Sequence, residues 1–330
     1  MKPVLSILDP SPIFETRTAV DSLNQTRALA QAADTMNYRA YWLQEHHNVS
    51  SFADTVPEVQ IADLASKTNR IALGSGGIML PNYSPLKVAE IGQMLSALYP
   101  GRIEIGLGRA TGADPRASAA LLGPGADNFP QMLRLMLDWH LDASGEQAIG
   151  SNHRAHTIAA NPPGPRPDIW ILCSSPASAA FAGAMGLKLA FADFLNPGGA
   201  ATTLKAYREA FTPSPFTAAP YCAIGLVTLA AETADEAQHL SSTIAAWSLS
   251  RSAGQFSQYM SADKARDWLD KAPLIPPSRA IIGTGESVAQ TLAKTAIDAH
   301  ADELFLLSIA DTTAARINSY RLIDAAMAAL

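Results

Sequence analysis

The architecture this sequence predicts is α/β, a (β/α)8 TIM barrel, and three observations predict it. Short apolar runs alternate with helical stretches along the whole chain. Eight such runs occur, each followed by a helical stretch. The runs are too apolar for strands with one wet face, which implies a parallel sheet covered by helices. Eight repeats favour a closed barrel over a doubly wound sheet. A length of 330 residues suits one such barrel, so residues 1–330 are expected to form a single domain.

The elements follow in order. "VLSILD" (4–9) is the first strand, and Leu23, Leu29, Ala32, Ala33 and Met36 share a face of the helix after it. "YWLQEH" (41–46) is the second strand, with a helix over 57–68 started by Pro57. The third strand spans 71–80. The helix over 84–98 has Ser84 as its cap, Pro85 in its first turn, and Val88, Ile91, Leu95 and Leu98 on one face. The fourth strand spans 102–109, with a helix over 129–141; Pro115 between them is not followed by a helical pattern. Later strands are expected at 168–175, 189–195, 221–230 and 303–309, and helices at 177–186, 199–211, 232–252 and 312–328. Two stretches exceed a minimal barrel. Residues 143–167 are loop-like, and 253–285 form a Pro-rich excursion before a helix over 286–299.

Composition narrows the function. Asp and Glu outnumber Lys and Arg by 30 to 24, the net charge is -6, and no basic cluster occurs, which argues against nucleic acid as a partner. No apolar run reaches the roughly 18 residues of a membrane span. The start, "MKPVLSILDPSPIFETR", is too short and polar in its apolar part for a signal peptide. The cysteines, Cys173 and Cys222, sit in separate apolar runs with no sign of a disulfide framework, so a cytoplasmic protein is expected.

In a βα barrel, chemistry collects at the C-terminal ends of the strands. The second strand ends in Glu45-His46-His47-Asn48. Adjacent strand residues point to opposite sides, so only one of the two histidines is expected at the cavity, as a general base or hydrogen-bond donor. A barrel metal site would want histidines two apart, so none is expected. Gly74, Gly76 and Gly77 crowd the third strand, marking either a bulge or a backbone on which something flat lies. Arg109 ends the fourth strand and suits either a surface ion pair or an anion. Ser174, Ser175 and Ser178 lie where the fifth strand turns into a helix, as an N-cap or a phosphate site. No G-x-S-x-G elbow surrounds them, which argues against a serine nucleophile.

Together "YWLQEHHN", "IALGSGGIMLPNYSPLKVAE", "LYPGRIEIGLGRATGADP", "WILCSSPASA" and "ADELFLLS…AARINSYRLID" resemble, in order and across essentially the whole chain, the bacterial luciferase-like flavin-dependent monooxygenases. The resemblance is to an oxidoreductase subgroup rather than to the light-emitting enzymes. It implies a (β/α)8 barrel, reduced FMN delivered by a separate flavin reductase, O2 as co-substrate, a small organic substrate and a homodimer. It carries catalysis to His46, the flavin ring to a cis-linked Gly76-Gly77, and the phosphate to Arg109, Ser174, Ser175 and Ser178. Light-emitting members have a glutamate at Ser174, an arginine near Pro130 and a cysteine at Gly108, so light emission is not expected. Two other readings remain beside the monooxygenase: a non-catalytic flavin-binding or accessory subunit, and a deazaflavin-dependent dehydrogenase.

Overall fold

In the computed structural model, which describes residues 2–122, 128–254, 257–272 and 280–330, eight parallel strands close into a ring. They are β1 (Val4–Asp9), β2 (Ala40–Leu43), β3 (Ala72–Met79), β4 (Ile103–Gly108), β5 (Asp168–Cys173), β6 (Lys188–Ala192), β7 (Cys222–Ala231) and β9 (Glu303–Leu307). Neighbours pair in chain order, β6 pairs β7, and β9 returns to β1 with Leu5 opposite Leu304. These are the eight strands the apolar runs predict. The ninth strand, β8 (Ile281–Thr284), lies outside the ring. Its cause is a length mismatch: β7 pairs with β9 only over Ala223–Val227, and β8 takes the exposed edge from Thr228 to Ala231.

The helices surround the ring: α1 (Ala19–Ala33), α2 (Pro57–Ala65), α3 (Pro85–Leu98), α4 (Pro115–Leu121), α5 (Phe129–Ala143), α6 (Pro176–Ala184), α7 (Ala200–Ala210), α8 (Ala234–Ser252), α9 (Ala262–Leu269), α10 (Gly285–Ala299) and α11 (Thr313–Ala329). Helix α4 corrects the expectation that no helix follows Pro115. The Asp114 carboxylate caps it, accepting the N–H of Arg116 (2.8 Å) and of Ala117 (3.2 Å). It buries no residue, so it carries no apolar period to read. The excursion at 253–285 holds α9 and β8; its residues 255–256 and 273–279 lie outside those described. Residues 144–167 form no helix or strand, and the Trp139 indole pins them by donating to the Ile158 carbonyl at 2.9 Å.

Alternation along the strands builds two cores. Tyr41, Leu43, Leu304 and Leu306 face the helices, whereas Trp42, Phe305 and Leu307 face the barrel axis. Trp42 packs against Phe305 (centroids 4.0 Å apart) and edge-on against Trp170 (5.1 Å). At the N-terminal end, Arg39 binds both Glu104 (2.6 Å) and Glu303 (2.8 Å), and the Trp42 indole donates to Glu104 at 2.7 Å. This charged plug closes the bottom, so chemistry is left to the opposite, C-terminal mouth.

Candidate active site

The mouth is assembled from the loops after β1 to β5. β2 ends at Leu43, three residues short of the sequence expectation, so Glu45, His46 and His47 lie beyond regular strand. The strand alternation expected to separate the two histidines has ended before them, and each instead turns toward its own carboxylate. The His47 Nε2 lies 2.8 Å from Glu45 Oε1. Buried Glu45 also accepts the Met79 N–H (2.9 Å), the Asn82 amide (2.9 Å) and the Tyr83 hydroxyl (3.2 Å). Burial and the Glu45 charge push the Tyr83 phenol up, so it stays a neutral donor. Glu45 is therefore a brace between the ends of β2 and β3, and the His47 N–H ties the same turn to the Gly112 carbonyl at 2.8 Å. Gly112 has φ +63, and a Cβ there would stand 2.5 Å from the Glu45 carbonyl oxygen.

His46 remains partly open, its side chain 29% exposed. Its Nδ1 lies 2.8 Å from Oδ2 of Asp54, a carboxylate with no solvent exposure. Burial pushes the Asp54 carboxyl up, and His46 opposes that rise. The Phe52 ring lies against the imidazole, with centroids 4.6 Å apart. Phe52 in turn meets Trp247 and Tyr259, which stack on each other at 5.0 Å. An aromatic wall from α8 and the segment before α9 therefore flanks the histidine. The Trp247 indole fixes this wall by donating to Ser51 Oγ at 2.8 Å.

Beside His46, on β3, the Gly76-Gly77 peptide is cis, and the β3–β4 register shifts between Gly76 and Ile78. Of the two readings of the glycine run, the bulge or irregularity is thus present, and it leaves the other reading open. A Cβ on Gly77 would stand 2.4 Å from the Gly106 carbonyl oxygen, and one on Gly76 2.7 Å from Leu8, so both positions are filled by packing toward the barrel. Arg109 follows β4. It is exposed and its guanidinium has no ion pair or hydrogen bond among the described residues. The surface ion pair considered for it is therefore not found among the described residues. On the adjoining strand, β5 stops at Cys173. Exposed Ser174 follows, and Ser175 caps α6 by accepting the Ser178 N–H at 3.4 Å while contacting Ser178 Oγ at 3.2 Å. The plain N-cap is thus realised. Burial pushes the Cys173 thiol up to about 12, which keeps it protonated beside the serines.

The expected site residues thus sit on four consecutive strand ends, β2 to β5, although no hydrogen bond joins Arg109 to the serines among the described residues. The donor set suits a phosphate monoester: an unpaired guanidinium, three hydroxyls and the N-terminus of a nine-residue helix. Asp54 and Phe52 were missed by sequence reasoning, whereas Trp247 and Tyr259 fall in the 247–277 stretch that the sequence marks as cavity-lining. Asp54 sits in an aperiodic loop, and nothing at a distance of eight residues marks it as a partner of His46. No group of three or more His, Cys, Asp or Glu able to hold a metal occurs among the described residues. No helix among them is long and apolar enough to cross a membrane.

Comparison with known proteins bears on the family and the fold. The Bacillus subtilis protein YwcH is 35% identical over 337 residues, covering 98% of this chain and 99% of its own. The crystal structure of apo-MsnO8 superposes with a TM-score of 0.91 at 33% identity, covering 99% of this chain and 98% of that one. The oxygenating constituent of 3,6-diketocamphane monooxygenase from Pseudomonas putida, in complex with FMN, shares the fold with a TM-score of 0.71 at 19% identity, covering 100% of this chain and 99% of that one. The family description "luciferase-like monooxygenase" matches residues 5–303, nearly the full barrel, and the chain belongs to that family.

Proposed function

We propose that this protein is a flavin-dependent monooxygenase that uses reduced FMN and O2 on a small organic substrate. One observation carries the reading: a partly open histidine, the side-chain-free Gly76-Gly77 backbone, and an arginine with no partner among the described residues next to the strand that leads into a serine-lined helix start occupy consecutive strands at one mouth. Arg109, Ser174, Ser175 and Ser178 would hold the phosphate, and the Gly76-Gly77 backbone would face the ring. FMN when bound supplies the redox chemistry with O2. The chain's own contribution is to bind, to exclude water with the aromatic wall of Phe52, Trp247 and Tyr259, and to hold a proton at His46. The FMN complex of the structural relative supports the choice of cofactor.

The remaining parts of the proposal follow from this reading. Residues 1–330 act as one barrel domain in the cytoplasm, and a separate reductase supplies the reduced flavin. Two protomers pair. Exposed Val59 on α2, with Met94 and Leu98 on α3, supplies apolar surface for that contact. Sedimentation at micromolar concentration tests it, and a monomer would remove it.

The decisive experiment is anaerobic titration with reduced FMN followed by an oxygen pulse. Saturable binding, with bound flavin reoxidising more slowly than free flavin, is the expected result. No binding would overturn the reading in favour of a deazaflavin cofactor or an accessory role, and a parallel titration with reduced deazaflavin separates those two.

A further inference from the structure

We infer that Asp54 is the positioning residue of His46, holding its imidazole in one tautomer and one orientation with Nε2 left as the working nitrogen. The inference deepens the proposed function, because it rests on His46 being the histidine at the flavin site.

Two His–carboxylate pairs arise from one sequence motif, and the structure separates them. Glu45 is saturated by donors from β3 and the turn after it, and its partner His47 has a side chain only 14% exposed. That pair is a brace. Asp54 has His46 as its one side-chain partner among the described residues, and its second oxygen, Oδ1, is buried with no hydrogen bond. A buried carboxylate with a single side-chain partner holds that partner strongly, because loss of the contact would leave its charge with only its own backbone N–H.

The carboxylate cannot follow a moving ring. The Ala53 N–H donates to the Ser11 carbonyl at 3.0 Å, and the Ala53 carbonyl accepts from Gln60 Nε2 at 2.8 Å. The Ile13 N–H donates to the Ser51 carbonyl at 2.8 Å. Ser11 is held in turn by Thr26 and by Asp9. The loop carrying Asp54 is thus clamped to the loop after β1, and Phe52 covers one face of the imidazole.

The chemistry follows. A carboxylate accepts only, so the one proton of neutral His46 lies on Nδ1 and the Nε2 lone pair is free. When a bound ligand yields a proton to His46, the ligand's X–H bond breaks, an Nε2–H bond forms and the electron pair stays on X. The imidazolium so formed is balanced by the Asp54 charge. Loss of that proton to water restores the site.

The test uses protein labelled with 15N-histidine, without flavin, above pH 8, with His46→Gln to assign the resonances. Wild type should show a protonated Nδ1 and a bare Nε2 at His46. Asp54→Asn, whose amide can donate to Nδ1, should move the proton to Nε2 and lower turnover by about tenfold or more, with reduced-FMN affinity within about twofold. Asp54→Glu should restore the Nδ1–H form and part of the turnover, which answers the case in which the Asn variant fails to fold. A wild-type Nε2–H form, or an Asn variant with unchanged tautomer and turnover, would overturn the inference. Wild type that shows the Nδ1–H form but binds no reduced FMN would sink the flavin reading and leave the pairing intact.

Discussion

Arg316 Nη2 lies 2.7 Å from Asp9 Oδ1, and neither side chain reaches solvent. The pair joins the last helix, α11, to the end of the first strand. Burial alone would push the Asp9 carboxyl up, but the Arg316 charge and hydrogen bonds from Tyr41, Arg316 and Thr26 outweigh it and hold the group below the usual carboxylate range. Arg316 also donates to the Ser308 carbonyl at 3.0 Å. Replacing it with Met would leave Asp9 buried with its hydrogen bonds from Tyr41 and Thr26 but without its cation. Arg316→Met is expected to lose about 3–5 kcal/mol of stability in urea unfolding, and a loss below about 1 kcal/mol would show that the pair is dispensable.

Arg109 stands at the mouth with no ion pair or hydrogen bond to its guanidinium among the described residues. If it holds phosphate, Arg109→Ala should weaken FMN binding by about 1–3 kcal/mol, the range for a charge-assisted hydrogen bond. Riboflavin, which lacks the phosphate, should bind the variant and the wild type alike. An unchanged FMN dissociation constant would remove the assignment.

His46→Ala should separate binding from chemistry. Turnover is expected to fall by about 10²–10⁴, the range for a lost acid–base group, while FMN affinity survives. Equal turnover in steady-state assays would return His46 to a structural role.

Gly77 has no room for a side chain, since a Cβ would meet the Gly106 carbonyl oxygen at 2.4 Å. Backbone cannot step aside as a flexible side chain can. Gly77→Ala should cost about 1–3 kcal/mol through overpacking, read as a lowered unfolding midpoint, and wild-type stability would show that β3 yields.

His140 supplies the pH dependence. It lies buried on α5 against Gly92, neither ring nitrogen has a partner among the described residues, and burial, helped by Arg166, pushes it down to about 3. In the unfolded chain the same group titrates near 6.5. Between those values the unfolded chain binds the extra proton, so stability is complete above about 6.5 and drains away as pH falls toward about 3. The loss should reach the order of a few kcal/mol by the acid end. His140→Leu should flatten the stability profile in that window, and an unaltered slope would assign the acid loss to other groups.

Much of the architecture was legible because burial on both faces writes a continuous apolar run. Strands such as "VLSILD" and "ELFLLSI" announce themselves, and the capping chemistry of Pro57, Pro85 and Ser175 marks helix starts. What failed had two causes. α4 buries nothing, and β8 exists only because β7 overshoots β9, a mismatch between strands distant in sequence.

The sequence by itself determined a ring of eight parallel strands, a polar mouth and the place of Glu45-His46-His47 at that mouth. Only the tertiary structure decided which carboxylate each histidine meets. Clamping of the β2–α2 loop to the loop after β1 brings Asp54 under His46, and the turn after β3 saturates Glu45. Strand identity is a local matter of period and burial. Partnership between side chains in aperiodic loops is set by backbone hydrogen bonds between separate segments, which no local pattern records.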